Sequence, residues 1–387
     1  MNLREYIHDE IRRCGPIPFS RFMQLCLYGA TEQGIPGYYT RDREQFGKDG
    51  DFYTSSDLHA VFGRVLSRQF EQMWQLLGRP QRLDFIELGP GRGLFAADVL
   101  EWTRKKFPGF HAALRYTLVE ISACLRTRLE QRFSHEITAG SVRVVQRMED
   151  TDYAPDFIVF ANEFFDALPV EVVSSRGGLF VSVEDGKFTE LFLPARAEVL
   201  RFLDLYGVHP QAPEAGEVEE RIEAQLAGLA AMENIAARLP GRGFMVVIDY
   251  GYTREEQLAG RHRGTLKGFR RHAMISSFYD SPGEQDITAD VNFTSLAGAS
   301  RDGGMEPLGL VTQAQFLMGV GEESQFSEVF EECRLPQEKA KVALQLKHLV
   351  TPQGMGESFH VLVLGRGVEK EKAAQLSGLR FNRSFNL

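Results

Sequence analysis

The chain has 387 residues with 53 acidic and 44 basic side chains, a formal charge of −9 at pH 7. Hydrophobic residues at 43% and charged residues at 25% describe an ordinary globular chain that can bury a core, which excludes wholesale disorder. The acidic balance argues against a dedicated nucleic-acid binder, because neutralising phosphates takes an excess of Lys and Arg. Cys14, Cys26, Cys124 and Cys333 are scattered without a C-x-x-C pair, so neither a disulfide framework nor a thiolate zinc site is expected. Met1 to Glu10 lacks an apolar run, and no window approaches about 18 uninterrupted apolar residues. A reducing, cytoplasmic setting without a membrane partner is expected.

Residues 1–80 are expected to form an N-terminal helical cap with an irregular middle. Phe19 to Tyr28 is apolar-rich after Pro16 and Pro18, and Leu58 to Leu77 places Val61, Val65, Leu66, Phe70, Trp74 and Leu77 at helical spacing. Between them, Gly34 to Ser56 mixes glycines with aromatics, the composition of a long ordered loop. From residue 83, short apolar runs alternate with amphipathic stretches. Strands are expected at Leu83–Leu88, Tyr116–Val119, Val142–Val145 and Phe157–Ala161, and helices at Leu94–Lys105 and Ser122–Phe133. This alternation predicts an α/β fold, Rossmann-like, with a mostly parallel doubly wound sheet over residues 81–387. Val170 to Leu193 breaks the pattern with two β-rich runs around Glu184-Asp185-Gly186, a hairpin signal. A helix over Glu217–Leu239 then leads through Pro240-Gly241 into a buried strand at Phe244–Ile248, and Phe359–Leu364 gives a last strand. Segments near 170–240 and 252–305 read as insertions that build a substrate cleft.

The strand Leu83–Leu88 runs straight into Gly89-Pro90-Gly91-Arg92-Gly93 ahead of a helix. Glycine at alternate positions permits a sharp turn and lets a ligand approach where a Cβ would collide. The same residues also fit a tight turn that binds nothing. A dinucleotide loop reads G-x-G-x-x-G, whereas here the third glycine comes one residue early and Glu87 stands two residues before the first. A carboxylate there would repel a pyrophosphate. S-adenosylmethionine carries a sulfonium and an ammonium instead, and an acidic lining suits it. Glu120, ending Thr117-Leu118-Val119-Glu120, can accept both ribose hydroxyls. NAD enzymes use the same acid, and it also fits a surface acid ahead of a helix. Past Val142–Val145, Met148 would pack on the adenine with Glu149 facing its amino group, unless the two form a solvated turn.

Asn162-Glu163-Phe164-Phe165-Asp166 leaves the fourth strand, a position that suits a site better than a core. Glu163 and Asp166 are the candidate catalytic residues, orienting a guanidinium or amine by charge-assisted hydrogen bonds while the aromatics exclude water. The competing reading makes Asp166 a helix cap and the phenylalanines core. Lys267-Gly268-Phe269-Arg270-Arg271-His272 is a basic run that fits an anion, an acidic partner surface or a solvated face. Neither H-E-x-x-H nor G-x-S-x-G occurs, so no metal and no serine triad are expected.

Several strings together resemble the MidA family of class I S-adenosylmethionine-dependent methyltransferases, whose mitochondrial members are complex I assembly factors. They include Ile17-Pro18-Phe19, Gly37-Tyr38-Tyr39, Gly50-Asp51-Phe52 with Thr54-Ser55, Glu87 to Gly93, and Leu118-Val119-Glu120. Asn162 to Pro169, Ile248-Asp249-Tyr250-Gly251 and Asp286 to Val291 continue the match. The resemblance implies the class I fold and S-adenosyl-L-methionine as cofactor. In the mitochondrial members it also implies methylation of an arginine in a complex I subunit. The matched stretches add Thr54 and Asn162 to the cofactor-binding set of Glu87, Gly89, Gly91, Gly93, Glu120, Met148 and Glu149. Family members often read Thr-Ser-Pro-Glu where this chain has Thr54-Ser55-Ser56-Asp57, and Thr where it has Leu94. The expected partner is a protein substrate with a cationic acceptor side chain, and a homodimer is compatible. Two alternatives stand beside this reading: a non-catalytic assembly factor that retains the cofactor pocket, and an NAD(P)-dependent oxidoreductase.

Overall fold

Short runs rich in apolar and β-branched residues make the central sheet. Its main strands are β1 (Leu83–Leu88), β2 (Leu114–Val119), β3 (Val142–Val145), β4 (Asp156–Asn162), β5 (Arg242–Tyr252), β6 (Glu306–Thr312) and β7 (Phe359–Arg366), with the short Val291–Asn292 pairing on the end of β5. They lie in the order β6-β7-β5-β4-β1-β2-β3. The strands from β5 through β3 pair in parallel, while β7 runs antiparallel to both β5 and β6. This is the mostly parallel α/β sheet that the alternation predicts. Strand order reverses between β1 and β4, and in such sheets ligands bind outside the carboxyl ends at that point.

The computed structural model of the chain describes residues 1–41, 60–214, 216, 218–270, 273–275, 277–322 and 324–382. These fall into two compact units. The sheet unit holds the described residues of Thr54–Phe164, Glu233–Tyr250 and Ser300–Leu387, and the other holds those of Met1–Tyr53, Phe165–Met232 and Gly251–Ala299. The division expected near residue 80 therefore comes earlier. Helix α1 (Ala60–Leu76) sinks Val61, Phe62, Val65, Leu66, Phe70 and Met73 into the same core as the strands. Its apolar stripe has the period of an amphipathic helix, and period alone does not say which surface the stripe will cover.

An aromatic platform lies within the sheet unit. Phe70 meets Phe85 at 4.8 Å and Phe160 at 5.6 Å between ring centroids, Phe95 stacks on Phe160 at 4.3 Å, and Tyr116 lies 4.7 Å from Phe85. Phe95 belongs to α2 (Leu94–Lys106), the helix that follows the glycine loop, so the loop is anchored at both ends to buried rings. Each such side chain contributes about 1.5–3 kcal/mol by leaving water.

The other unit begins with helix Leu3–Cys14, closed at its first turn by an Asn2–Glu5 capping box. It contains a five-stranded antiparallel sheet of Ile17–Pro18, Glu171–Ser174, Gly177–Glu184, Lys187–Leu193 and Ile222–Ala224. The expected hairpin is present, with Asp185 at φ 47° and Gly186 at φ 75°, the paired positive values of a two-residue turn. Phe19, Phe22, Tyr38, Val172, Val181 and Ile287 share its core. The helix expected over Glu217–Leu239 is shorter: Ile222–Ala224 instead pairs with Glu171–Val173, and the helix begins at Leu226. Ladder pairing and burial of Ile222 and Ala224 override the helical propensity of a Glu-rich segment. In the sheet unit, β6 is a strand without a sequence signal. Pro307 and Gly309 weaken a strand pattern, and here they flank a bulge against β7.

Among the described residues, no helix is long and apolar enough to cross a membrane. Phe160 is 1% exposed and touches both Phe70 and Phe95. Phe160→Ala should therefore destabilise the protein by about 3–5 kcal/mol in denaturant unfolding, the range for a buried ring left as a cavity.

Candidate active site

The glycine loop forms because β1 ends where three successive turns need left-handed backbone. Gly89, Gly91 and Gly93 have φ of 63°, 52° and 71°, values that side chains with a Cβ rarely adopt. The Gly89 amide donates to the Val119 carbonyl at 3.0 Å, which ties the loop to β2. A Cβ on Gly89 would lie 3.2 Å from the Phe164 ring, and one on Gly93 would lie 2.6 Å from Leu129 and 2.8 Å from Phe133. Gly93 is thus required for packing beside α3 (Ala123–Arg132), while Gly89 and Gly91 shape the loop where β1 opens.

Two buried carboxyls flank it. Glu87, 5% exposed, accepts the Tyr116 hydroxyl at 2.7 Å. Burial pushes its carboxyl up to about 7, against a smaller lowering by that hydrogen bond. Glu120, 6% exposed, accepts the Ser122 amide at 2.8 Å and is hydrogen-bonded by the Gly91 amide as well. Burial also raises it to about 7, with the amides and the Arg126 guanidinium pulling the other way. A carboxylate has about four lone-pair positions, so Glu120 can still accept hydroxyls beyond these amides.

At the exit of β4, Asn162 donates to Glu163 at 3.1 Å, and its Oδ1 is buried without a hydrogen-bond partner among the described residues. Glu163 itself sits at φ 49°, left-handed without being glycine. Its amide donates to the Ile248 carbonyl at 2.9 Å, and the next amide, of Phe164, donates to Asp249 Oδ2 at 3.2 Å. Met148 is buried in a single turn after β3, whereas Glu149 is exposed and its carbonyl accepts from Arg238 at 3.1 Å. Glu87, the glycines, Glu120, Asn162 and Glu163 all stand at the carboxyl ends of β1, β2 and β4.

Asp166, expected beside Glu163, belongs to the other unit. It is 7% exposed and its carbonyl accepts the Ala289 amide at 3.0 Å; burial, and then the charges of Asp286 and Asp166, push the Tyr39 hydroxyl well up. Thr54 lies outside the described residues, as do Arg271 and His272 of the basic run. Elsewhere in that run, Lys267 pairs with Asp290 at 2.7 Å and Arg270 with Glu284 at 2.7 Å, as a charged face held within its own unit. Tyr116 and Asp249 received no role from the sequence, although Asp249 stands in one of the matched strings. Each carried a faint signal: a hydroxyl within an apolar strand, and an acid at the end of an apolar run.

The chain matches, over residues 65–311, the model of the family described as "Putative S-adenosyl-L-methionine-dependent methyltransferase". Among solved structures, a crystal structure from Burkholderia thailandensis bound to S-adenosyl-homocysteine is similar, with a TM-score of 0.81 and 28% identity. It covers 100% of this chain and 96% of that one. "Protein arginine methyltransferase NDUFAF7 homolog, mitochondrial" from Drosophila melanogaster is 28% identical over 95% of this chain and 85% of its own length. The human "Protein arginine methyltransferase NDUFAF7, mitochondrial" is 26% identical over 92% and 81%.

S-adenosylmethionine fits the residues present. The left-handed glycines keep Cβ atoms off the loop, two buried carboxyls suit its cationic end and its ribose, and the buried Asn162 Oδ1 awaits a donor. Gly91→Val should abolish cofactor binding without unfolding the protein, since a β-branched residue cannot take φ 52°. Undiminished S-adenosylmethionine affinity in calorimetry would refute the loop's role. A second prediction concerns pH. Glu87 and Glu120 keep their protons in the folded protein between their usual 4.5 and about 7, so their contribution to stability is complete below about 4.5 and is lost as pH rises through about 7. A bound cation favours the ionised forms. S-adenosylmethionine affinity should therefore rise between about pH 6 and 7.5 with proton release, measured in buffers of different ionisation enthalpy, and Glu87→Gln should flatten the rise. With its family model, its ligand-bound structural relative and its strand-end site in agreement, the chain belongs to the MidA family of class I S-adenosylmethionine-dependent methyltransferases.

Proposed function

We propose that the protein methylates an arginine side chain of a protein substrate. The observation that carries this reading is the Glu163 carboxylate at the exit of β4, beside Asn162 and on the same strand-end rim as the cofactor residues. Similarity to relatives named protein arginine methyltransferases over more than nine-tenths of the chain supports it. When bound, the cofactor supplies an electrophilic methyl group on sulfonium. The residues of the chain do the rest by orientation and proton handling. Glu163 accepts N–H donors from the guanidinium, fixes the plane of the attacking nitrogen and takes its proton as that nitrogen is alkylated. The neighbouring Phe164 ring keeps water from the reacting nitrogen.

Asp166 has its own part in the proposal, to be tested by Asp166→Asn separately, because it belongs to the other unit. A cytoplasmic setting and a homodimer are further parts, open to cell fractionation and to light scattering. The decisive experiment is transfer of labelled methyl groups into a lysate of cells lacking the protein, followed by mass spectrometry. Label on a protein arginine is the expected result, and label on small molecules or nucleic acid alone would overturn the reading. Glu163→Gln should lower transfer by roughly 10²-fold or more while S-adenosylmethionine affinity is retained, because the general-base contribution is lost without loss of the pocket.

A further inference from the structure

A carboxylate that is 0% exposed in the middle of a sheet needs a reason, and Asp249 has one. It follows the run Phe244–Ile248 on β5, where every other side chain is apolar and buried. Removing a charge from water is costly unless hydrogen bonds replace the hydration. Asp249 Oδ1 accepts the Tyr250 amide at 3.0 Å, and Oδ2 reaches across to the neighbouring strand to accept the Phe164 amide at 3.2 Å. That second bond falls immediately after Glu163, the residue held at φ 49°. Immediately before it, the Glu163 amide is held by the Ile248 carbonyl at 2.9 Å. The left-handed residue is therefore fastened on both sides, once by β5 backbone and once by the Asp249 carboxylate. Phe164, whose amide takes the second bond, also puts its ring 3.2 Å from where a Gly89 Cβ would stand. One carboxylate thus fixes the strand exit that carries Glu163 and the ring that lies against the cofactor loop.

From this geometry we infer that Asp249 is a positioning residue for methyl transfer, holding Glu163 in the left-handed conformation that presents its carboxylate to the acceptor. The inference rests on the acceptor role of Glu163. In Asp249→Asn the amide group can still accept from Phe164 or from Tyr250, but its second position becomes a donor facing an N–H, so the clamp opens on one side. Glycine adopts φ 49° unaided, so in Glu163→Gly the clamp has nothing left to hold.

The test compares Asp249→Asn, Glu163→Gln, Glu163→Gly and the double variant Asp249→Asn with Glu163→Gly. Each is measured for S-adenosyl-homocysteine affinity by calorimetry, for melting temperature, and for initial rate of labelled methyl transfer into a lysate lacking the protein. Asp249→Asn is expected to lower the rate roughly tenfold or more with affinity changed less than about threefold, and to add no further loss in the Glu163→Gly background. A wild-type rate in Asp249→Asn, or full multiplication of the two losses, overturns the positioning role. A wild-type rate in Glu163→Gln instead overturns the acceptor role of Glu163, a result distinguishable from the first. If Asp249→Asn fails to fold, the double variant decides: recovered folding shows that the clamp serves residue 163, and continued unfolding shows that Asp249 is needed for something else.

Discussion

Burial of carboxylates on hydrogen-bond donors is the constraint from which the site follows. Glu87 leans on a phenol, Glu120 on the Ser122 and Gly91 amides, and Asp249 on the Phe164 and Tyr250 amides. Desolvation makes Glu87 and Glu120 expensive to ionise, and the same low dielectric strengthens their attraction for a cation that enters. Donors fixed by the backbone need no reorganisation when that cation arrives, which is the condition for efficient electrostatic stabilisation. Glycine spacing, strand order and the aromatic platform can all be understood as what keeps these oxygens dry and still.

The platform does this physically. Phe85 and Tyr116 sit side by side on β1 and β2, Phe160 joins them from β4, and Phe70 and Phe95 arrive from α1 and α2. Tyr116 closes the circle, since its ring belongs to the platform and its hydroxyl to Glu87. A ring lost from this group would loosen the core and, through Tyr116 and Phe95, the support of Glu87 and of the helix that follows the glycine loop.

Legibility in the sequence divides along the same physical line. β1 and β3 fall where their β-rich runs begin and end, because Leu83, Phe85, Ile86 and Leu88 in the one and Val142, Val144 and Val145 in the other outnumber the Asp84, Glu87 and Arg143 that interrupt them. β6 was invisible because Pro307 and Gly309 interrupt its pattern, and the Glu217–Leu239 segment misled because strand pairing is decided by a partner some fifty residues away. The places of Glu87, the glycines, Glu120, Asn162 and Glu163 at strand exits were legible, because each follows or ends a strand run. Tyr116 and Asp249 were not, since their partners lie 29 and 85 residues away in sequence and nothing local records the pairing. Residue type and strand position can be read from a sequence, but hydrogen bonds across a sheet depend on register.

Glu163 shows where function outweighs local preference. The loop after β1 uses glycine at each of its left-handed positions, and glycine at 163 would take φ 49° with less strain. Non-glycine residues in that region cost on the order of 1–3 kcal/mol and persist only where the surroundings hold them. Here the surroundings are two bonds donated by backbone amides to β5, one to the Ile248 carbonyl and one to a buried carboxylate that itself had to be taken out of water. A second unfavourable feature, the buried Asp249, sustains the first. Neither would be needed if position 163 served only to turn the chain, and together they are intelligible if a carboxylate must stand at that exact strand exit. Strain there and burial at Asp249 are thus one arrangement, whose result is an acid fixed at the carboxyl end of β4.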